Sequence, residues 1–357
     1  MSSMRHIDDR LFRLGLLLAG AGARVRRQAA ALDAGSDLAT ALSEAGVPRA
    51  VLQAARDLAT SEAERVHEKI VHAGWRWLIP GDEDFPRLLA GITDPPFGLF
   101  VRGLVATAKT VAVVGSRKAT PYGRQVARLL GEELGRAGVV LISGMARGVD
   151  EAAHRGALDG GGPSWAVWGT GPDRVYPREH EALAEELATA GALMTEYPPG
   201  TPPRPHHFPE RNRILAGLSE AVVVVEAAAR SGALITARLA IEEGREVLAV
   251  PGNIFSRLSV GPNTLIRVGA RPLLTPRDLF DAIGLEPPDE RPAENEDGLM
   301  RFIGSGEALT ADQIARRAKT EIATVSGELL DLELAGDLRR EADGRYTRVH
   351  GSPPREP

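Results

Sequence analysis

Six short apolar runs, each followed by a glycine, an acid or a turn and then by a helix-forming stretch, constrain the fold of this chain most. They read TVAVVG (110–115), VVLISG (139–144), SWAVWG (164–169), ALMTEY (192–197), AVVVVEA (221–227) and EVLAVPG (246–252). A strand facing water on one side alternates polar and apolar residues, whereas these runs are apolar almost throughout, as strands of a parallel sheet covered on both faces must be. Stretches such as GRQVARLLGEELGRAG and ALITARLAIEEGRE lie between them with helical character. The pattern predicts an α/β fold with a doubly wound, extended Rossmann-like parallel sheet over 110–285. In such a sheet ligands sit outside the carboxyl ends of the strands.

The turns at those ends point to phosphate. VAVVGSR runs from a strand into Gly115-Ser116-Arg117, followed by Lys118 and by a helix start marked at Thr120 and Pro121. A tight turn before a helix offers free N–H groups and the positive end of a dipole, and arginine adds a planar cation. About one βα repeat later, VVLISG leads into Met145-Ala146-Arg147-Gly148, with Ser143 and Gly144 in the turn. A third turn, EAAARSGALITAR, holds Ser231 as a helix cap before Gly232, with Arg230 beside it. GTGPDRVYPREH adds Arg174, Tyr176 and Arg178. The plain alternative is that each glycine permits a turn and each arginine pairs with a nearby acid.

The longest non-periodic stretch, PPGTPPRPHHFPERNRILAG (198–217), carries Arg204, His206, His207, Phe208, Arg211, Asn212 and Arg213 to the same edge. Cations that track a backbone and a ring that stacks on a base are what single-stranded nucleic acid requires. The other reading of Phe208 is a hydrophobic staple ahead of the following helix. His206 and His207 lack a third ligand at metal-binding spacing, so no metal site is implied. Asp150, Asp173, Glu196 and Glu226 lie near strand ends but in no nucleophile or acid–base motif. Glu196 and Glu226 are expected to pair with Arg211 or Arg213. GxGxxG, a Walker lysine turn and a GxSxG elbow are absent, so the site reads as one that holds phosphates without attacking anything, with no cofactor.

Flanking segments complete the organisation. Residues 1–75 read as a small helical domain, in which GAGARV (20–25) is similar to the hairpin of SAM or helix-hairpin-helix modules. Residues 76–109 read as a segment that connects to and closes against the core. PPDERPAENEDG marks a linker over 286–298, Pro-rich and acidic. Beyond it, 299–350 has the order of a winged helix: Thr310 caps one helix, a second runs from about Ile322 to Ala335, and Asp343-Gly344 turns a hairpin. That second helix contains Glu321, Glu328, Asp331 and Glu333 and no Lys or Arg, so it suits a protein contact or packing better than a phosphate backbone. A net charge of −5 excludes a protein coated in positive charge but not a local cationic cluster. The chain has no cysteine, which excludes disulfides and thiol chemistry. It has neither a signal-peptide pattern nor an apolar run of membrane-spanning length, so a cytoplasmic protein that makes no membrane contact is expected.

VVGSRKATPYG, SGMARGVDEAAHRGAL, GTGPDRVYP, TEYPPGTPP, FPERNRILAGLS, VVEAAARSGALITARLA and VPGNIFSRLSVGPNTLIRVGA together resemble the DNA-processing DprA (Smf) family. The resemblance covers about half the chain, in matching order and spacing. It implies a non-enzymatic single-stranded DNA-binding protein that protects incoming DNA in natural transformation, loads RecA recombinase and works as a homodimer. Carried over, Gly115, Ser116, Arg117, Ser143 and Gly144 hold backbone phosphates, Phe208 meets a base, and Arg211, Asn212 and Arg213 support its loop. Some members place a lysine just before the aromatic; here the cation is either Arg204 or absent. If the two histidines contribute instead, binding strengthens below about pH 6.5. The core also resembles nucleoside-monophosphate phosphoribohydrolases, but AARSGALITAR has neither their paired glycines nor their catalytic acid. A nucleotide-binding regulator acting through the winged helix is the third alternative, which the acidic helix disfavours.

Overall fold

The computed structural model describes residues 8–30, 32, 37–288, 298–304, 307–334, 337–341 and 343–348. They form two compact units, the first ending at Pro288. Most of the expected linker (289–297), part of the second N-terminal helical run (31 and 33–36), the expected helix end at Ala335 and residues 349–350 lie outside the described residues.

All six predicted strands form. The first unit is built on a nine-stranded sheet: β1 (Arg76–Leu78), β2 (Leu99–Gly103), β3 (Thr110–Val114), β4 (Val140–Ser143), β5 (Ser164–Val167), β6 (Ala192–Thr195), β7 (Ala221–Val224), β8 (Glu246–Ala249) and β9 (Arg271–Pro272). Their spatial order is β1-β2-β6-β5-β4-β3-β7-β8-β9. Strands β3 to β9 are parallel to one another, with Val113 opposite Val223 and Ala112 opposite Ile142. The chain winds outward from β3 to β6, returns to the other side of β3 at β7 and continues outward. The reversal puts the topological switch point at β3, where an open α/β sheet forms its crevice.

Every residue of β3 is buried, and the strand's two faces serve two cores. Val111 and Val113 pack with Leu130, Leu134, Ala153 and Phe280 from helices Pro121–Arg136, Val149–Asp159 and Pro276–Ile283. Ala112 and Val114 pack on the opposite face with Ile214, Leu215 and Ala237 from helices His207–Leu218 and Gly232–Glu242. Each buried Val, Leu or Ile contributes roughly 1.5–3 kcal/mol, so such a strand is stable only between two helix layers.

Residues 76–109 do more than connect. They supply β1 and β2, and β2 runs antiparallel to β6, which extends the sheet at one edge. Trp77 and Phe100 meet at a 42° tilt with ring centroids 4.5 Å apart, and Phe85, Leu89 and Ile92 enter the core. Strands of three and five residues broken up by Pro and Gly carry too little periodicity to be read locally. Ahead of them are five helices, Asp9–Leu18, Ala23–Ala30, Leu38–Glu44, Arg49–Ala59 and Glu62–His72.

The second unit packs helices Ala311–Ala318 and Ile322–Leu334 beside the hairpin of β10 (Leu338–Arg340) and β11 (Tyr346–Arg348), the order of a winged helix. Thr310 caps its helix in a reciprocal box with Gln313. Val325 and Leu329 are buried, while Glu321, Glu328 and Asp331 face solvent.

Candidate nucleic-acid interface

The turn after β3 lies at the switch point and is braced from beneath. Thr120 caps helix Pro121–Arg136, its hydroxyl accepting from the Gly123 amide at 3.1 Å. Glu226, just beyond β7, in turn accepts from the Thr120 amide (2.9 Å) and hydroxyl (2.5 Å). Glu226 is therefore committed to a helix cap and pairs with neither Arg211 nor Arg213. Among the described residues the amides of Ser116 and Arg117 donate to no protein acceptor, so they remain available to an anion. The Ser116 hydroxyl accepts from the Lys118 amide at 3.1 Å.

The turn after β4 is scaffold. Ser143 is fully buried and its hydroxyl donates to the Val113 carbonyl at 2.6 Å, so the expected phosphate contact from this hydroxyl is replaced by a bond that ties β4 to β3. The Gly144 and Ala146 amides donate to buried Asp150 at 3.1 and 3.3 Å, which removes Gly144 N–H from phosphate binding too. Gly148 has φ +83°, and a Cβ there would lie 2.4 Å from the Ser116 carbonyl. That carbonyl accepts from the Val149 amide at 3.2 Å, which fixes the second turn against the first.

Helix His207–Leu218 begins inside the stretch expected to be a loop, so the loop is 198–206. Pro209 does not stop it, because a first-turn residue needs no amide partner. Phe208 consequently sits within the helix, where the staple geometry does not apply. Its half-buried ring rests near Gly169, lies 5.5 Å from the Tyr176 ring and carries the Arg117 guanidinium 4.8 Å from its centroid.

The two arginines of this helix point inward, while Glu210 is exposed. Arg211 is buried beneath the second turn and donates to the Gly144 carbonyl at 3.2 Å; its Nε has no hydrogen-bond partner. A Cβ on Gly144 would collide with this guanidinium. Burial lowers Arg211 to about 10, which leaves it charged at neutral pH, and burial likewise raises Asp150. Arg213 pairs with Glu196, as expected, and with Asp94 at 3.4 Å, binding the helix to the end of β6 and to the 76–109 segment. Asn212 donates to the Gly232 carbonyl at 3.1 Å. His207 is buried, stacks on Tyr197 at 4.2 Å and contacts the Gly169 carbonyl through Nδ1 at 3.1 Å. Burial lowers its pKa, whereas His206 is exposed.

These elements enclose one cleft of about 560 Å³. Gly115, Ser116, Arg117, Phe208, Arg211, Asn212, Ser231 and Gly232 line it together, and Ser231 caps helix Gly232–Glu242 as predicted. Lys118 and Arg204 are exposed outside it, and Arg147, also outside, is bonded to Glu179 at 2.7 Å. Tyr176, expected from its turn, is a wall of the cleft; the sequence did not single out Pro203 and Pro205 as walls or Asp150 as the organiser of the second turn. An acid in the first turn of helix Val149–Asp159, just after a glycine-rich turn, was the available signal for Asp150. No group of three or more His, Asp or Glu among the described residues is arranged to hold a metal ion.

The chain matches the family model for DNA recombination-mediator protein A over residues 76–284 and that for the DprA winged helix domain over 284–344. It is 43% identical over 290 residues to Protein Smf of Escherichia coli, covering 76% of this chain and 77% of that protein. The structure of DNA processing protein A from Streptococcus pneumoniae superposes with a TM-score of 0.67 at 33% identity, over 76% of this chain and 96% of that one. That of DNA processing protein A from Helicobacter pylori, described for its single-stranded DNA binding mode, gives 0.52 at 28% identity, over 58% and 94%.

Proposed function

Since the chain belongs to the DprA (Smf) family of DNA recombination mediators, we propose that it binds single-stranded DNA across the carboxyl ends of β3, β4 and β7. The observation that carries this reading is the cleft itself, where two free amides and an exposed arginine adjoin a ring held at the rim. The Ser116 and Arg117 amides and the N-terminus of helix Pro121–Arg136 receive one backbone phosphate, which the Arg117 guanidinium neutralises. Phe208 and Tyr176 offer a base an aromatic wall, and buried Arg211 supplies positive potential from below.

In this reading the site binds without turnover, which the engagement of Asp150, the acid of the cleft lining, with the Gly144 and Ala146 amides supports. The relative from H. pylori, whose structure is described for its single-stranded DNA binding mode, supports the ligand assignment. Loading of RecA recombinase, assembly as a homodimer and a place in the cytoplasm rest on family membership. No helix among the described residues is long and apolar enough to cross a membrane. The exposed acids of helix Ile322–Leu334 support a protein-contact role for the winged helix.

The test is a salt-titrated binding curve for a labelled oligothymidylate and for a duplex of equal length. The reading requires a preference for the single strand, with affinity falling as salt rises. Equal binding to both, or none, overturns it.

A further inference from the structure

Two strands along the edge from the β3 turn, the loop after β8 (251–259) presents an apolar tip to solvent. Ile254 is 80% and Phe255 90% exposed. Isolated apolar residues on a surface are ordinary, but this pair sits on a turn built to hold it outward. The Asn253 side chain accepts from the Phe255 amide at 2.9 Å, and the Ser256 amide donates to the Asn253 carbonyl at 2.9 Å. Asn263 brackets Gly252 with two bonds, of 3.1 and 2.9 Å.

The loop is also fastened to elements of the cleft. The Tyr122 hydroxyl, in the first turn of the helix that follows the β3 turn, donates to the Pro251 carbonyl at 3.3 Å. At the other end the Ala227 amide donates to the Leu258 carbonyl at 2.7 Å, directly before Ala228 of the cleft wall. Adjacent strands lie about 4.8 Å apart, so the ends of β3 and β8 are separated by about 10 Å. Exposed Lys118, Arg230 and Arg257 flank this path, and none has an acid within ion-pair reach among the described residues.

We infer that the Ile254–Phe255 turn is a second stacking platform, on which a base of the same single strand rests after the strand leaves the cleft past Lys118 and Arg230. The inference rests on the proposed single-strand reading of the cleft. Nucleic acid is the occupant because unpaired cations beside an exposed ring on a hydrogen-bonded turn match a polyanion whose bases are splayed.

The experiment compares oligothymidylates of about four and about twelve nucleotides, lengths within the range of known single-strand sites. Wild type, Phe255→Ala and Arg117→Ala are titrated, with sedimentation velocity on each. Phe255→Ala is expected to bind the short strand as wild type does and to lose roughly fivefold or more on the long one. In Phe255→Trp the indole emission changes with the long strand and not with the short. Equal affinity of Phe255→Ala and wild type at both lengths overturns the inference. So does a loss of self-association with equal weakening at both lengths, which assigns the turn to contact between two copies. Arg117→Ala reports separately on the cleft: if it binds both lengths as wild type does, the cleft reading fails whatever Phe255 does.

Discussion

Replacing Arg117 with alanine tests the phosphate site most directly, because this residue is exposed and its guanidinium lies over the Phe208 ring. On a single strand each neutralised phosphate contributes about 0.7 to the slope of log affinity against log salt. Losing one such contact lowers the slope by about 0.7 and at 0.1 M salt removes about 1 kcal/mol, roughly fivefold in affinity. A fourfold rise in salt then narrows the gap between variant and wild type by about 2.6-fold. The assay is fluorescence anisotropy of a labelled oligothymidylate at several salt concentrations, with Arg147→Ala alongside. Glu179 already neutralises Arg147, so that variant should leave the slope unchanged. Parallel lines for Arg117→Ala and wild type, or an equal change of slope in Arg147→Ala, would refute the placement of the phosphate.

Phe208→Ala should cost about 1–3 kcal/mol of binding with an unchanged salt slope, since stacking releases no counterions; a changed slope in the same titration would show that the ring acts by holding Arg117. Gly148→Ala forces a side chain into φ +83° and against the Ser116 carbonyl, so it should destabilise the fold by at least about 1–3 kcal/mol, read as a lowered urea midpoint. An unaltered midpoint would mean that the two turns are not locked together. Burial lowers buried His154 to about 3, so its neutral form stabilises the native state. Its contribution is intact above the unfolded value near 6.5 and is lost as pH falls from 6.5 toward 3, by up to about 1.4 kcal/mol per pH unit. Urea melts between pH 7 and 4 should show a shallower acid decline in His154→Phe, and identical slopes would refute the assignment.

What was legible in the chain is what local physics decides. A run such as TVAVVG has no polar face to turn outward, so it announces a strand covered on both sides wherever it stands. Thr120, Ser231 and Thr310 cap helices because a hydroxyl next to unpaired amides bonds with them locally, and all three do so. Turns after apolar strands mark the edge where an open α/β sheet takes its ligands, whereas the switch point depends on the strand order that only the tertiary structure supplies. The fate of each charged side chain is different in kind. Arg117, Arg211 and Arg213 are the same residue type near the same edge, yet one faces solvent over a ring, one is buried beneath a carbonyl and one is held by Glu196 and Asp94. Ser143 ends β4 and Ser116 lies just beyond β3, but only Ser116 reaches the cleft. Short β1 and β2 exist because β6 offers them an edge. The chain by itself settled the six central strands, the helix caps and the edge where a ligand belongs, because an apolar run and a capping hydroxyl are local features of neighbouring residues. Which cations remain free for that ligand was decided only when distant acids and carbonyls came within hydrogen-bonding range, since the energy of a charge depends on its partners in space.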